Sequence, residues 1–182
     1  MALSVIVESG LPVNAQPSAA ELEYIAELNA VLPGELLNNP AAPEYKANGA
    51  DFKTKTVKTD KIAGGVAYQV RVKRNQSNLW DVAVHSGVYR PVVKGNKLLL
   101  AFWARSSNES VENIQVRVQE SGEPYGAALE GQISIGPEWA LYEIKGSAQM
   151  GLGAESCVVS FNVGGSKKMI ELGQFFLIDQ GR

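Results

Sequence analysis

The chain is short of the residues that most often carry chemistry. Its 182 residues include one cysteine and one histidine. With Cys157 alone no internal disulfide can form, and one Cys with one His cannot assemble a zinc site of the usual kind. Cys157 reads as a small buried hydrophobe. As a nucleophile it would need a positioned histidine, and only His85 could serve. No apolar run approaches the ~18 residues of a membrane span, so no membrane partner is expected. The formal net charge is −2, both signs read as spread along the chain, and no basic block could follow a phosphate backbone. Nucleic acid is therefore not an expected partner. There is no internal repeat and no low-complexity tract. Gly-x-Ser-x-Gly is absent, so an elbow-type serine hydrolase has no support. Gly64-Gly65 and Gly164-Gly165 are turn pairs without phosphate-loop spacing. Met1 to Val7 is too short for a signal peptide and lacks its basic start. The protein is either intracellular or an exported one whose signal is not in this chain.

What is present suits one domain with a short appendage. Apolar residues make up 45% of the chain and charged residues 20%, enough for a core. Residues 1–17 carry two prolines and no sustained period, and read as a linker or an added strand. Ser18 with Glu21 fits a capping box. Leu22, Ile25 and Leu28 follow at helical spacing, and Pro33-Gly34 ends the pattern. The spacing predicts a helix over 18–31, within a linker-plus-helix segment 1–34.

From residue 35 the period changes to two. Val66, Tyr68, Val70 and Val72 alternate with Ala67, Gln69 and Arg71. Trp80, Val82 and Val84 alternate with Asp81, Ala83 and His85. Ile114, Val116 and Val118 alternate with Gln115, Arg117 and Gln119. Cys157, Val159 and Phe161 alternate with Val158, Ser160 and Asn162. Gly, Asn, Ser and Pro clusters separate these runs. Residues 97–105, 139–145 and 169–178 complete a count of about nine strands. An all-β sandwich or barrel over 35–182 is expected.

Side chains alternate across a strand, so each run has a core side and an outer side. The outer sides are rich in Gln, Asn and Arg and poor in carboxylates. Gln115, Arg117 and Gln119, with Gln69, Arg71 and Asn162, could line one face. Such groups donate and accept in fixed planes, as sugar hydroxyls require, without the desolvation cost of a lone carboxylate. Sugar C–H faces stack on aromatic rings. In the run 98–105, Leu100, Phe102 and Ala104 share one side and Leu99, Ala101, Trp103 and Arg105 the other. If the first side is core, Trp103 points to the polar face; otherwise the strand is buried on both sides. Tyr125 lies in the loop Gly122–Gly126, where packing explains an aromatic less readily. Trp80 reads as core or rim, His85 as surface or rim, and Trp139 as core or structural. A glycosidase's paired carboxylates form in space rather than in sequence. The candidates Asp81, Glu112, Glu120, Glu143, Glu155 and Glu171 read as solvated surface, and no catalytic residue is expected.

These segments in their order resemble the carbohydrate-binding modules of the family 4, 9 and 22 superfamily. The stretches are ELLNNP (35–40), GGVAYQVRVKRNQSNLWDVAVHS (64–86), VVKGNKLLLAFWARSS (92–107), ENIQVRVQESGEPYGA (112–127), GPEWALYEIKGSA (136–148) and VVSFNVGGSKKMIELGQFFLID (158–179). The likeness covers about 35–179. It implies a jelly-roll sandwich with a glycan groove on one sheet face. Carried over, the groove positions are Trp103, Arg117, Gln115, Gln119 and Asn162, with Tyr125 at the edge. Gln69, Arg71, His85 and Trp80 follow as further candidates. Many members carry an Asp-Asp-Val-type strand that helps hold a structural calcium. Here Leu172-Gly173-Gln174-Phe175-Phe176 stands instead, so no cofactor is expected, with calcium as the open alternative. Such modules usually belong to longer secreted enzymes. The resemblance thus implies an extracellular or periplasmic place and a covalently attached catalytic domain as partner.

The expected function is non-catalytic binding of a polysaccharide of xylan or β-glucan type. The alternatives are a structural domain that binds another protein, or a β-sandwich polysaccharide lyase or hydrolase.

Overall fold

Alternation of apolar and polar residues sorts the strands into two antiparallel sheets that share one core. The computed structural model describes residues 16–106 and 109–182. The strands are β1 (Glu35–Leu36), β2 (Lys46–Gly49), β3 (Phe52–Lys58), β4 (Val66–Val72), β5 (Val82–Gly87), β6 (Lys97–Ser106), β7 (Glu112–Glu120), β8 (Ala127–Ile135), β9 (Ala140–Ser147), β10 (Cys157–Asn162) and β11 (Lys168–Asp179). One sheet runs β3-β4-β11-β6-β9, with β1 beside β11, and the other runs β2-β5-β10-β7-β8. This is the expected jelly-roll sandwich. Four strands fall outside the runs read from the sequence periodicity: β1, which only the resemblance covered, and β2, β3 and β8. β3 is a Lys/Thr run with one Phe and one Val, and it is exposed along most of its length.

The core is built from the inward positions of both sheets. Phe102, Phe161 and Phe175 are fully buried. Phe161 sits edge-on to Phe102 at 5.2 Å and to Phe175 at 6.2 Å between centroids. Tyr45 joins them from the chain that crosses between the sheets, and its hydroxyl donates to the Gly173 carbonyl at 2.6 Å. Burying each such ring contributes on the order of 2 kcal/mol before entropy. Cys157 lies in this core, fully buried.

The N-terminal helix α1 spans Ala19–Asn29, and the Ser18/Glu21 capping box forms as read. Its buried Ile25 packs with Leu36, Leu99 and Ile178. The helix therefore covers one end of the outer face of the β3-β4-β11-β6-β9 sheet. Asn29 accepts from the Leu36 amide at 2.9 Å, which ties the helix end to β1. The linker or added strand expected over 1–17 falls almost wholly outside the described residues. Among the described residues no helix is long and apolar enough to cross a membrane. No group of three or more His, Cys, Asp or Glu among them is placed to hold a metal ion.

Candidate functional site

The outward positions of the β2-β5-β10-β7-β8 sheet form ordered rungs. One rung runs Lys46, His85, Ser160, Arg117, Glu130 across the five strands. The next runs Asn48, Ala83, Asn162, Gln115, Gln132. On the far side Gly87, Val158 and Gln119 are in register. Small residues sit in the middle of this face, at Ala83 and Ser160, and leave room above the sheet. A groove of about 490 Å³ lies there, lined by Asn48, Trp80, Ala83, His85, Arg117, Gln119, Pro124, Tyr125, Ser160 and Asn162.

Two aromatic rings stand at opposite ends of the groove. Trp80 is 63% exposed and Tyr125 46%. Trp80 sits in a short 3-10 turn, Leu79–Asp81, just before β5. Tyr125 follows the end of β7. Strands β5 and β7 run parallel with β10 between them, so the rings come from opposite ends of the sheet. Both are held from below. A Cβ at Gly164 would lie 2.7 Å from the Asn78 carbonyl oxygen and 2.8 Å from that of Leu79. Only glycine lets the chain after β10 close on the turn that presents Trp80. Tyr125 has φ +58°, a left-handed backbone uncommon for a non-glycine residue. The Arg117 guanidinium donates to the Tyr125 carbonyl at 3.0 Å, and the Gly126 amide donates to Glu120 Oε2 at 2.9 Å. These bonds hold the tyrosine loop where its own backbone preference would not.

The floor is polar and incompletely paired. His85 and Gln119 are only 8% and 5% exposed. His85 Nδ1 and Gln119 Oε1 are buried and have no hydrogen-bond partner. Burial holds the His85 imidazole below the usual histidine range, so it is neutral. With Nε2 donating to Asn48 Oδ1 at 3.3 Å, Nδ1 is left as an acceptor. Asn162 donates to Gln115 Oε1 at 2.9 Å, and Ser160 donates to Asn162 Oδ1 at 2.9 Å. Arg117 is held by Glu130 at 3.1 Å, which balances its charge. Among the described residues no carboxylate lines the groove. Cys157 faces the core, and burial pushes its thiol up to about 12, so it is not a nucleophile.

The structure brings Arg117, Gln119, Asn162, Tyr125, His85 and Trp80 together in the groove. Gln115 stands beside it in the Asn162 rung. It does not bring in Trp103, Gln69 or Arg71, contrary to the expectation that all share one face. These belong to β6 and β4, in the other sheet. Sequence alternation tells which side of a strand faces out but not which sheet the strand joins. Gln69 spends its side chain on Glu171 at 2.6 Å, and Arg71 touches Met169. Trp103 does point away from the core, as one of its two readings held. There it packs over Gly173, where an added Cβ would lie 2.9 Å from Trp103 Cβ. Sequence reasoning missed Asn48, on a short strand with no apolar alternation, and Ser160, a small residue with no signal of its own.

No family model matches the chain, and no curated protein matches it. Solved structures do. A CBM4 structure matches at 21% identity over 74% of this chain and 94% of the other, with a TM-score of 0.59. The second N-terminal cellulose-binding domain from Cellulomonas fimi β-1,4-glucanase C matches at 23% identity over 84% of this chain and 95% of the other, TM-score 0.57. The CBM22-1 xylan-binding domain from Paenibacillus barcinonensis Xyn10C matches at 10% identity over 82% and 97%, TM-score 0.58. The chain has the fold of these carbohydrate-binding modules.

Proposed function

We propose that the chain is a non-catalytic module that binds a neutral polysaccharide, of xylan or β-glucan type, in the groove of the five-stranded sheet. The observation that carries this reading is the pair of buried, unpartnered acceptors on the groove floor, His85 Nδ1 and Gln119 Oε1. A buried acceptor without a donor costs about 1–3 kcal/mol, which a ligand hydroxyl would relieve. The exposed rings of Trp80 and Tyr125 offer stacking surfaces for sugar faces at the two ends. Arg117 is neutralised by Glu130, so the groove suits an uncharged glycan.

The groove does not fit glycoside hydrolysis, which needs two carboxylates across the bond to be cleaved; its lining has none. The module would then serve a catalytic domain joined to it, outside the cytoplasm; a domain of this fold is part of a β-1,4-glucanase. Affinity gel electrophoresis against soluble xylan, mixed-linkage β-glucan and hydroxyethyl cellulose tests the reading. Retardation by one of these, lost in Trp80→Ala and in Tyr125→Ala but kept in Trp103→Ala, is the expected result. No retardation by any neutral glycan would sink it and leave the groove as a protein-binding face.

A further inference from the structure

The even spread of charge read from the sequence does not hold at finer scale. Of its 17 Lys and Arg, eight fall in residues 46–74, where only Asp51 and Asp60 oppose them. The other nine share the rest of the chain with 17 of the 19 acids. The β3–β4 region therefore carries a formal +6 and the remainder −8.

The fold turns part of this excess into a face. Lys53 and Lys55 on β3 pair in register with Arg71 and Gln69 on β4. Their side chains share the outer face of the six-stranded sheet, because Thr54 and Phe52 take the opposite parity toward Val70 and Val72. Like charges directly opposite, as Lys53 and Arg71 are, destabilise a strand pair. Among the described residues no carboxylate pairs with Lys53, Lys55 or Arg71; the only nearby pair on this ribbon is Arg74 with Asp51 at 3.8 Å. Beside Arg71 a cleft of about 190 Å³ opens, lined also by Val72, Lys167, Lys168 and Met169.

Lysines on an edge strand also discourage edge-to-edge pairing. That role does not require one sign. On β9, the other edge of the same sheet, Lys145 sits 2.7 Å from Glu143, and the mixed pair keeps the edge polar without repulsion. The uncompensated positive charge on β3–β4 is a local cost that edge protection does not explain.

We infer that Lys53, Lys55, Arg71 and Lys167 form a second binding face, for an acidic polysaccharide with carboxylates in series. The cations follow one another along β3 at about 7 Å and across to β4 at about 5 Å, and so present a row rather than a pocket. Three of the four are lysines, point charges that can each meet a single carboxylate repeated along a flexible chain. Strand-binding nucleic-acid sites stack bases on aromatic rings, and of the exposed aromatics Trp80 and Tyr125 stand on the groove side while Tyr24 sits on α1, which covers the far end of β11 from Arg71. None of the four side chains brings an apolar group to insert in a bilayer. This face lies on the opposite side of the sandwich from the groove and does not depend on the groove's reading.

The test is affinity gel electrophoresis of the whole chain in polygalacturonate, at low salt and at about 0.5 M salt. Wild type runs beside the triple variant Lys53→Gln/Lys55→Gln/Arg71→Gln and beside Trp80→Ala, each referred to its mobility without polymer. Polygalacturonate should retard wild type and Trp80→Ala at low salt. High salt should abolish the effect, and the triple variant should bind about tenfold more weakly. Circular dichroism on the triple variant checks that it stays folded. Equal retardation of wild type and a folded triple variant would overturn the inference, as would no retardation at low salt. Loss in Trp80→Ala would place the acidic glycan in the groove instead. Tighter retardation by duplex DNA, or binding to vesicles of anionic lipid but not to polygalacturonate, would also overturn it.

Discussion

The two outer faces of the sandwich use the same kinds of residue to opposite ends. Each carries an arginine, a glutamine and a tryptophan. On the six-stranded sheet Arg105, Gln69 and Trp103 each meet a partner within the molecule, while Arg71 on the same face has no carboxylate partner among the described residues. Arg105 pairs with Glu171 at 2.5 Å and lies 5.3 Å over the Trp139 ring. Gln69 donates to the same Glu171, and Trp103 packs against Gly173. Helix α1 covers the far end through Ile25. On the five-stranded sheet Arg117 is spent on holding a loop, but Gln119 keeps a buried acceptor free and Trp80 keeps its ring in solvent. Residue type alone does not mark a binding face. Buried acceptors left free on the floor of an open groove do; Trp139 Nε1 and Gln76 Oε1 are also buried without a partner among the described residues, but neither lines the groove.

The largest test of this contrast is Glu171→Ala. Glu171 is 2% exposed and serves both Arg105 and Gln69. Its removal leaves Gln69 buried without an acceptor, while Arg105, with a side chain 37% exposed, recovers part of its loss in water. Denaturant unfolding should show a loss of about 2–3 kcal/mol. Glycan affinity per folded molecule should not change. A fall in affinity at constant stability would show that this face, not the groove, meets the ligand.

Next come the rings. Trp80→Ala and Tyr125→Ala should each weaken glycan binding about tenfold, near 1.4 kcal/mol, without lowering the melting temperature. Trp103→Ala should do the reverse, since this residue is half-buried on the other sheet and lies outside the groove. Isothermal titration and thermal melts on the three variants separate the cases. An affinity loss in Trp103→Ala comparable to that in Trp80→Ala would break the comparison between the two faces.

The periodicity of the sequence carried much of the fold. The runs around Val70, Val116 and Phe161 alternate with period two because one side of each faces the core, whereas the run around Phe102 is apolar on both sides and buried on both over residues 98–102, with α1 over Leu99; each is a strand. The capping box at Ser18 is a local device that needs no tertiary context, and it forms. β3 was not legible, since an edge strand wet on both faces needs no apolar alternation. Within the groove, Gln115, Arg117 and Gln119 were legible as one outward row because they share a strand. Which other strands lie beside that row is a matter of long-range pairing. Gln69 and Gln119 look alike in sequence, and only the sheet order places them on opposite sides of the molecule. Ser160 matters by being small, a property that emerges only once His85 and Arg117 flank it.

Arg117 sharpens the comparison at a finer grain, because its role is to position rather than to touch. Arg117→Gln removes the bond to the Tyr125 carbonyl. Affinity should fall by about threefold to fivefold, less than in Tyr125→Ala. In the double variant Arg117→Gln/Tyr125→Ala the losses should not add, since the arginine acts through the tyrosine. Additive losses would mean that the guanidinium contacts the glycan itself.

The smallest effect expected is a pH dependence seated at His85. Burial lowers its affinity for a proton in the folded chain, while the unfolded chain titrates at about 6.5. Below that pH the unfolded state binds the extra proton more readily, so stability falls as the solution is acidified; above it both states are neutral and the effect vanishes. The groups that face His85 do not oppose this. Lys46 and Ser160 flank it in the rung and Asn48 accepts from it, and among the described residues no carboxylate lines the groove to hold an imidazolium. Ligand affinity should follow the same sign, because a protonated Nδ1 cannot accept a sugar hydroxyl. The measurement is the difference between wild type and His85→Gln in melting temperature and in glycan affinity from pH 8 to pH 5. The gap in both should be flat above the histidine range and change below it. Parallel profiles for the two proteins would mean that the groove floor stays indifferent to the proton, and that its free acceptor is Gln119 alone.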